Sequence, residues 1–162
     1  MESMSFAEAL EREHQEIDTG IAAFSTAPGD RPTLIQAIHA LRRHIYLEED
    51  LLFPLLHQAE PGLAAAVFVM LRDHAQIWGT LDALERAVDT GTGLALQKRL
   101  TGQLLHHNLK EEKVIYSRVD DLLDPAAAGR LQAFLASGDM PGGWVCVMKA
   151  RHLPGNPVLT TG

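Results

Sequence analysis

An all-α, up-down-up-down four-helix bundle with a short fifth helix and an irregular C-terminal tail is the fold this sequence predicts, and three observations predict it. Four consecutive segments carry apolar residues at alternating spacings of three and four, the pattern of a helix with one face in a core. Breaker clusters separate those segments at helical lengths: Pro28-Gly29-Asp30 with Pro32, Glu60-Pro61-Gly62, Thr90-Gly91-Thr92-Gly93, Asp124-Pro125 and Ser137-Gly138. Sustained period-two alternation is missing, Trp144 to Met148 being the one stretch compatible with it.

The first segment, 5–26, carries the stripe Ala7, Leu10, His14, Ile17, Ile21, Phe24. The second, 32–58, opens on Pro32, at a helix start where a missing N–H has no intrahelical partner to lose. Its stripe is Leu34, Ala37, Leu41, His44, Glu48, Leu51, Leu55, and Pro54 inside it is expected to kink or end the helix near Leu51 to Phe53. The third, 61–89, begins at Pro61 and reads Val67, Met70, His74, Ile77, Leu81, Leu84, Val88; the fourth, 94–119, reads Leu100, Leu104, His107, Glu111, Val114. A fifth, 125–136, starts at Pro125 with Asp124 as its N-cap. Short connections impose antiparallel neighbours. Beyond residue 137 the chain holds five of its 13 glycines and three of its 8 prolines, so it divides into a bundle, 1–137, and a Gly/Pro-rich tail, 138–162.

Composition narrows the function classes. At 162 residues and 46% apolar, the chain can bury one core without disulfides. Fourteen Lys and Arg against 21 Asp and Glu give a net charge of −7, which argues against nucleic acid and anionic membranes as partners. The longest uncharged stretch before the tail, Pro61 to Leu71, falls far short of the roughly 20 residues a membrane span needs, and no basic, then apolar leader opens the chain. The expected location is cytoplasmic. A single cysteine, Cys146, excludes a disulfide framework and any multi-thiolate metal site, and nothing in the sequence assigns it a role.

Eight histidines are the unusual feature, and their placement matters more than their number. His14, the pair His44 and Glu48, His74, and the pair His107 and Glu111 all interrupt apolar stripes in register with core positions. Buried carboxylates without partners are costly, and bound cations supply the compensation. Each His-x-x-x-Glu pair puts imidazole and carboxylate about 6 Å apart on one helix face. Measured at about 1.5 Å per residue, His14 and His44 each lie about 22 Å from the turn near Gly29, and His74 and His107 lie about 27 and 23 Å from the turn near Thr92. All six therefore fall in one layer. The halves also repeat: EREHQEI at 11–17 matches LRDHAQI at 71–77, and HIYLEEDLLF at 44–53 matches HNLKEEKVIY at 107–116, giving the site pseudo-twofold symmetry. Imidazoles with two carboxylates suit first-row metals better than Mg²⁺ or Ca²⁺, and glutamates bridging two ions favour a di-iron or di-manganese site over one tetrahedral zinc, with iron first.

The ordered series His, His-x-x-x-Glu, His, His-x-x-x-Glu over about residues 5–120 resembles the hemerythrin-like, HHE cation-binding family, four-helix bundles with a non-haem di-iron centre. The resemblance implies two iron ions, oxo- or hydroxo-bridged, with His14, His44, His74 and His107 as terminal ligands and Glu48 and Glu111 as bridges. Oxygen-carrying members use a fifth histidine one turn after the third-helix His, where this chain has Trp78. A four-His, two-Glu set is similar instead to the di-iron proteins of iron–sulfur cluster repair and nitric-oxide stress. The implied function is binding or sensing of O₂, peroxide or nitric oxide, in oxidative or nitrosative stress or iron handling. Two alternatives stand beside it: an iron-responsive regulatory module whose tail binds a protein partner, and a peroxidase or nitric-oxide-reducing enzyme at the same centre.

The remaining polar and aromatic residues are placed by the same registers. His39, His57 and His152 fall off the stripes and are expected to face solvent; His106 lacks a carboxylate four residues on. Glu49 and Glu112 point about 100° away from the ligand face, towards supporting or surface positions. Tyr46, Tyr116 and Trp78 lie beside the layer, where packing at the bundle flank is expected ahead of gating or hydrogen bonding to a bound species.

Overall fold

A computed structural model describes residues 3–26, 30–88 and 90–151. Its first bundle helix is α1 (Phe6–Thr26). The second runs as α2 (Arg31–Tyr46), a π-helical segment Leu47–Leu52 and α3 (Phe53–Ala59). A 3₁₀ turn, Pro61–Leu63, leads into α4 (Ala64–Ala87). The fourth comprises α5 (Gly93–Glu111), a second π segment Glu112–Tyr116 and α6 (Ser117–Leu122). Then come α7 (Pro125–Ser137) and the single turn α8 (Val147–Ala150). The described residues contain no strand, and Trp144 to Cys146 form irregular chain that enters α8, so the period-two reading of Trp144 to Met148 is corrected. No helix among them is long and apolar enough to cross a membrane.

Local chemistry sets the ends. Ser5 and Glu8 form a reciprocal capping box, with Ser5 N–H donating to Glu8 Oε2 at 2.8 Å and Glu8 N–H to Ser5 Oγ at 3.2 Å. Asp120 in α6 accepts from the next two free amides, Phe6 and Ala7. Asp30 and Asp124 cap α2 and α7, with Pro32 and Pro125 just inside.

The bundle closes as α1 packs on α2 and α5, and α4 packs on α5 and α2. Close approach at the first pair depends on Gly20, where a Cβ would stand 2.9 Å from Ala37 Cβ. Two apolar clusters fill the interior. One, around Ile21, Leu34, Leu81 and Leu100, lies towards the α1–α2 and α4–α5 turns; the other, around Leu10, Leu52, Leu56 and Val119, lies towards the opposite end. Along every bundle helix the predicted donor residues fall where the two clusters adjoin.

Pro54 does not end the second helix. The backbone widens to π geometry over Leu47–Leu52 and continues to Ala59, with Pro54 near the start of α3. The wider turn takes up an extra residue, as π-bulges do at functional sites. The predicted register consequently slips by one: Leu52 and Leu56 are fully buried, while Leu51 and Leu55 are half-buried. The fourth helix repeats the slip without a proline, burying Ile115 and Tyr116 and leaving Val114 40% exposed. The first widening contains the pair Glu48-Glu49, and the second opens on Glu112, the second residue of the pair Glu111-Glu112.

The described part of the tail lies against the bundle. Arg43 donates through Nε to Gly138 O (2.8 Å) and through Nη2 to Phe134 O (2.6 Å). Trp144 packs edge-on against Tyr46 and Trp78, Cys146 is fully buried in the core, and α8 lies on α4.

Candidate metal centre

All six predicted donors converge. Two groups of four have donor atoms within 4.8 Å of one another: His14, His44, Glu48 and Glu111, and Glu48, His74, His107 and Glu111. The two glutamates belong to both groups, and every member is buried. Glu48 Oε1 stands 3.4 Å from both His44 Nε2 and His74 Nε2. Glu111 divides its oxygens, Oε1 lying 3.2 Å from His14 Nε2 and Oε2 lying 3.4 Å from His107 Nε2. Adjacent donors around a six-coordinate ion with bonds of about 2.1 Å are about 3.0 Å apart, so these separations suit shared edges of two coordination shells.

Unmet polar atoms support the same conclusion. Glu48 Oε1, both Glu111 carboxylate oxygens and His74 Nε2 are buried without a hydrogen-bond partner. Such atoms normally find partners, and a cation between them provides one. The donor set fits a pair of first-row metal ions.

The imidazoles are oriented by a ring of carboxylates around the bundle. His14 Nδ1 meets Glu112 (3.0 Å), His44 Nδ1 meets Glu13 (2.7 Å), His74 Nδ1 meets Glu49 (2.7 Å) and His107 Nδ1 meets Asp73 (3.1 Å). In each case the carboxylate comes from the preceding bundle helix in the cycle fourth, first, second, third, with Glu49 and Glu112 supplied by the π segments. Nδ1–H donated outward leaves the Nε2 lone pair facing inward, the tautomer that a metal needs. Arg43 and Lys110 take the outer oxygens of Glu13 and Asp73. Glu49 and Glu112 thus take the supporting position the sequence suggested, whereas Glu13 and Asp73 were not anticipated. Their signal was an acidic residue directly before the histidine in both halves, Glu13-His14 and Asp73-His74.

The electrostatics of the protein alone show protons standing in for cations. Burial pulls the His14, His74 and His107 values down, but neighbouring carboxylates outweigh it and raise them to about 9, about 9 and about 10. Burial opposes the ionisation of Glu111, yet His107 and His14 hold it well below the usual carboxylate range. Asp73 falls to about 2, with burial overcome by His107 and Lys110.

Tyr116 is the largest departure from expectation. It is fully buried and inside the layer, with Oη 2.8 Å from Glu48 Oε2, 2.9 Å from His44 Nε2 and 3.0 Å from His14 Nε2. Burial, with Glu111 and Glu48 alongside, pushes its phenol well above the usual value. Tyr46 packs instead against Phe134 and Trp144, and Trp78 lies under the Arg42 guanidinium against Trp144; both belong to the flank, as expected. His39, His57 and His106 are exposed, and His152 lies outside the described residues. Burial pushes the Cys146 thiol up to about 12, a poor setting for a reactive thiolate.

A family model described as the hemerythrin HHE cation binding domain matches residues 5–119. Neither the curated proteins nor the solved structures give a match.

Proposed function

The chain belongs to the hemerythrin HHE cation-binding family, and on that premise we propose that it is a non-haem di-iron protein that binds or senses O₂, peroxide or nitric oxide. The observation that carries this reading is the sharing of Glu48 and Glu111 between two donor groups, since one ion would leave two histidines idle. His14 and His44 would hold one ion and His74 and His107 the other. Iron there supplies a change of valence and exchange of a small ligand at an open position. The protein's own contribution is to hold the Nε2 lone pairs inward through the carboxylate ring and to keep the layer out of bulk water. Diatomic molecules and peroxide suit so small and enclosed a centre. The net charge of −7 supports a partner that is neither nucleic acid nor an anionic membrane, and a cytoplasmic location accords with that reading.

A second reading, an iron-responsive module acting through its tail, draws support from one contact. Glu49 grips His74 with Oε2 and accepts the Val147 N–H at 2.8 Å with Oε1, so one carboxylate joins the donor layer to α8.

Anaerobic reconstitution with ferrous iron, followed by exposure to O₂, peroxide and nitric oxide in turn, tests both. The expected result is about two iron per chain, near-ultraviolet charge-transfer absorption after oxidation, and a spectral response to at least one of the three. Protein that takes up one ion per chain and responds to none would overturn the di-iron reading. Iron-dependent protection of the tail from protease, without any such response, would select the module.

A further inference from the structure

Tyr116 has no role in the metal site described so far, yet its oxygen lies within it. Building on the two-ion reading above, we propose that Tyr116 Oη is a fifth protein donor, binding as phenolate to the ion held by His14 and His44, so that the two ions are inequivalent.

The geometry carries this in three ways. Tyr116 Oη sits 2.8–3.0 Å from Glu48 Oε2, His44 Nε2 and His14 Nε2. Those are the spacings of neighbouring donors in one shell, about 3.0 Å for bonds of about 2.1 Å. With both Nδ1 atoms turned outward to Glu112 and Glu13, His14 Nε2 and His44 Nε2 both face the phenol oxygen, so the three atoms point at one place that a cation could occupy. The phenol's one proton can be donated to only one of its three neighbours, whereas a cation is shared by all of them and by the phenol oxygen too. Coordination exchanges the phenol proton, lost to bulk water, for the metal ion, and no electron changes hands.

The symmetry-related position supplies the contrast. Phe53 occupies in the first half the place that Tyr116 occupies in the second, and it lies over His74 as Tyr116 lies over His14. It has no oxygen to offer. The ion at His14 and His44 therefore has two imidazoles, two shared carboxylates and a phenolate, while the ion at His74 and His107 lacks the fifth donor. Ligand exchange belongs to the second.

Ferric phenolates absorb in the visible, apart from near-ultraviolet charge-transfer bands, and visible excitation enhances the phenolate ring modes in resonance Raman spectra. Iron-loaded wild-type protein should show both. Tyr116→Phe should lose both while retaining its iron and its near-ultraviolet absorption, and Tyr46→Phe, which alters the chain's other tyrosine, should change neither. Wild-type protein with iron bound and no phenolate modes would overturn the proposal without any variant, as would modes that survive in Tyr116→Phe. Stoichiometry reads the underlying premise separately: one iron per chain with phenolate modes present would remove the two-ion reading and keep the ligand, and two iron without them would do the reverse.

Discussion

Phe53 and Tyr116 stand at matching places in the two halves of the bundle, each nine residues after the histidine of its His-x-x-x-Glu pair, Phe53 directly after one π segment and Tyr116 at the end of the other. Phe53 lies nearly parallel to His74, centroids 5.8 Å apart, and Tyr116 to His14 at 5.2 Å. The scaffold is therefore repeated down to its aromatic rings, and one oxygen separates the halves chemically. A second difference lies outside the donor layer. Glu49 is buried with both oxygens engaged, by His74 and Val147, whereas the side chain of its counterpart Glu112 is 32% exposed. Repetition builds a symmetric cage, and the residues around it give its two donor groups unequal surroundings.

Removing a shared donor should break the comparison most completely. Glu111→Ala strips one carboxylate from both groups and leaves raised-value histidines without a counter-charge, so iron per chain should fall close to zero. His14→Ala touches one group and should spare part of the iron at His74 and His107, while exposed His39→Ala should leave loading unchanged. Metal analysis of the purified variants reads all three, and equal losses would refute the division into two groups.

The two π segments offer the next test. Leu52→Ala and Ile115→Ala each truncate a fully buried side chain and should cost about 2–5 kcal/mol in denaturant unfolding. Leu51→Ala and Val114→Ala, on the residues the plain helical register would bury, should cost much less. The reverse order in either half would mean that half has no register slip.

Supporting carboxylates come third. Loss of such a partner typically weakens metal binding by about 10–100-fold. Glu49→Gln should fall in that range in competition with a chelator and should also make the segment around Val147 easier for a protease to cut. Glu112→Gln, partly exposed, should lose less affinity and leave the tail unaffected.

The smallest expected effect is on pH dependence. His14, His74 and His107 are raised from 6.5 to about 9, 9 and 10, so their protonation stabilises the metal-free fold fully below about pH 6.5, and that contribution is lost as pH rises through 9 to 10. Glu111 acts oppositely, contributing above the ordinary carboxylate range and losing that contribution on acidification. The Tm of metal-free protein should therefore fall from pH 6.5 to 10. Iron requires unprotonated imidazoles, so the Tm gap between loaded and metal-free protein should widen over the same interval. Melting curves with and without chelator decide it, and a gap that narrows would contradict the assigned directions.

The convergence of His14, His44, Glu48, His74, His107 and Glu111 could be read from sequence because each occupies an apolar stripe, where a polar residue is conspicuous. Tyr116 escaped because periodicity alone extends Val114 into the core, and only the wider π turn rotates Tyr116 inward. Leu51 and Leu55 were misplaced for the same reason: a period of 3.6 holds only while the backbone stays α-helical. Glu13 and Asp73 escaped because an acid on a helix flank looks solvated until a histidine from the next helix is set against it. In the tail, glycine and proline mark a break that agrees with the non-helical chain over residues 138–146, but composition says nothing of where Trp144 or Cys146 will dock.

The donor layer also divides the interior, with one oily cluster on each side of it. In metal-free protein that waist is a slab of charge held together by protons and single hydrogen bonds, and outside it the clusters are linked at the flank through Phe134, Tyr46 and Trp144. Amide exchange at the waist should then proceed by local opening well below the cost of global unfolding, the halves behaving as neighbouring foldons. Binding of cations would rivet four helices at one height and merge the two units, so that exchange near His44 and His107 slows to the pace of the whole domain.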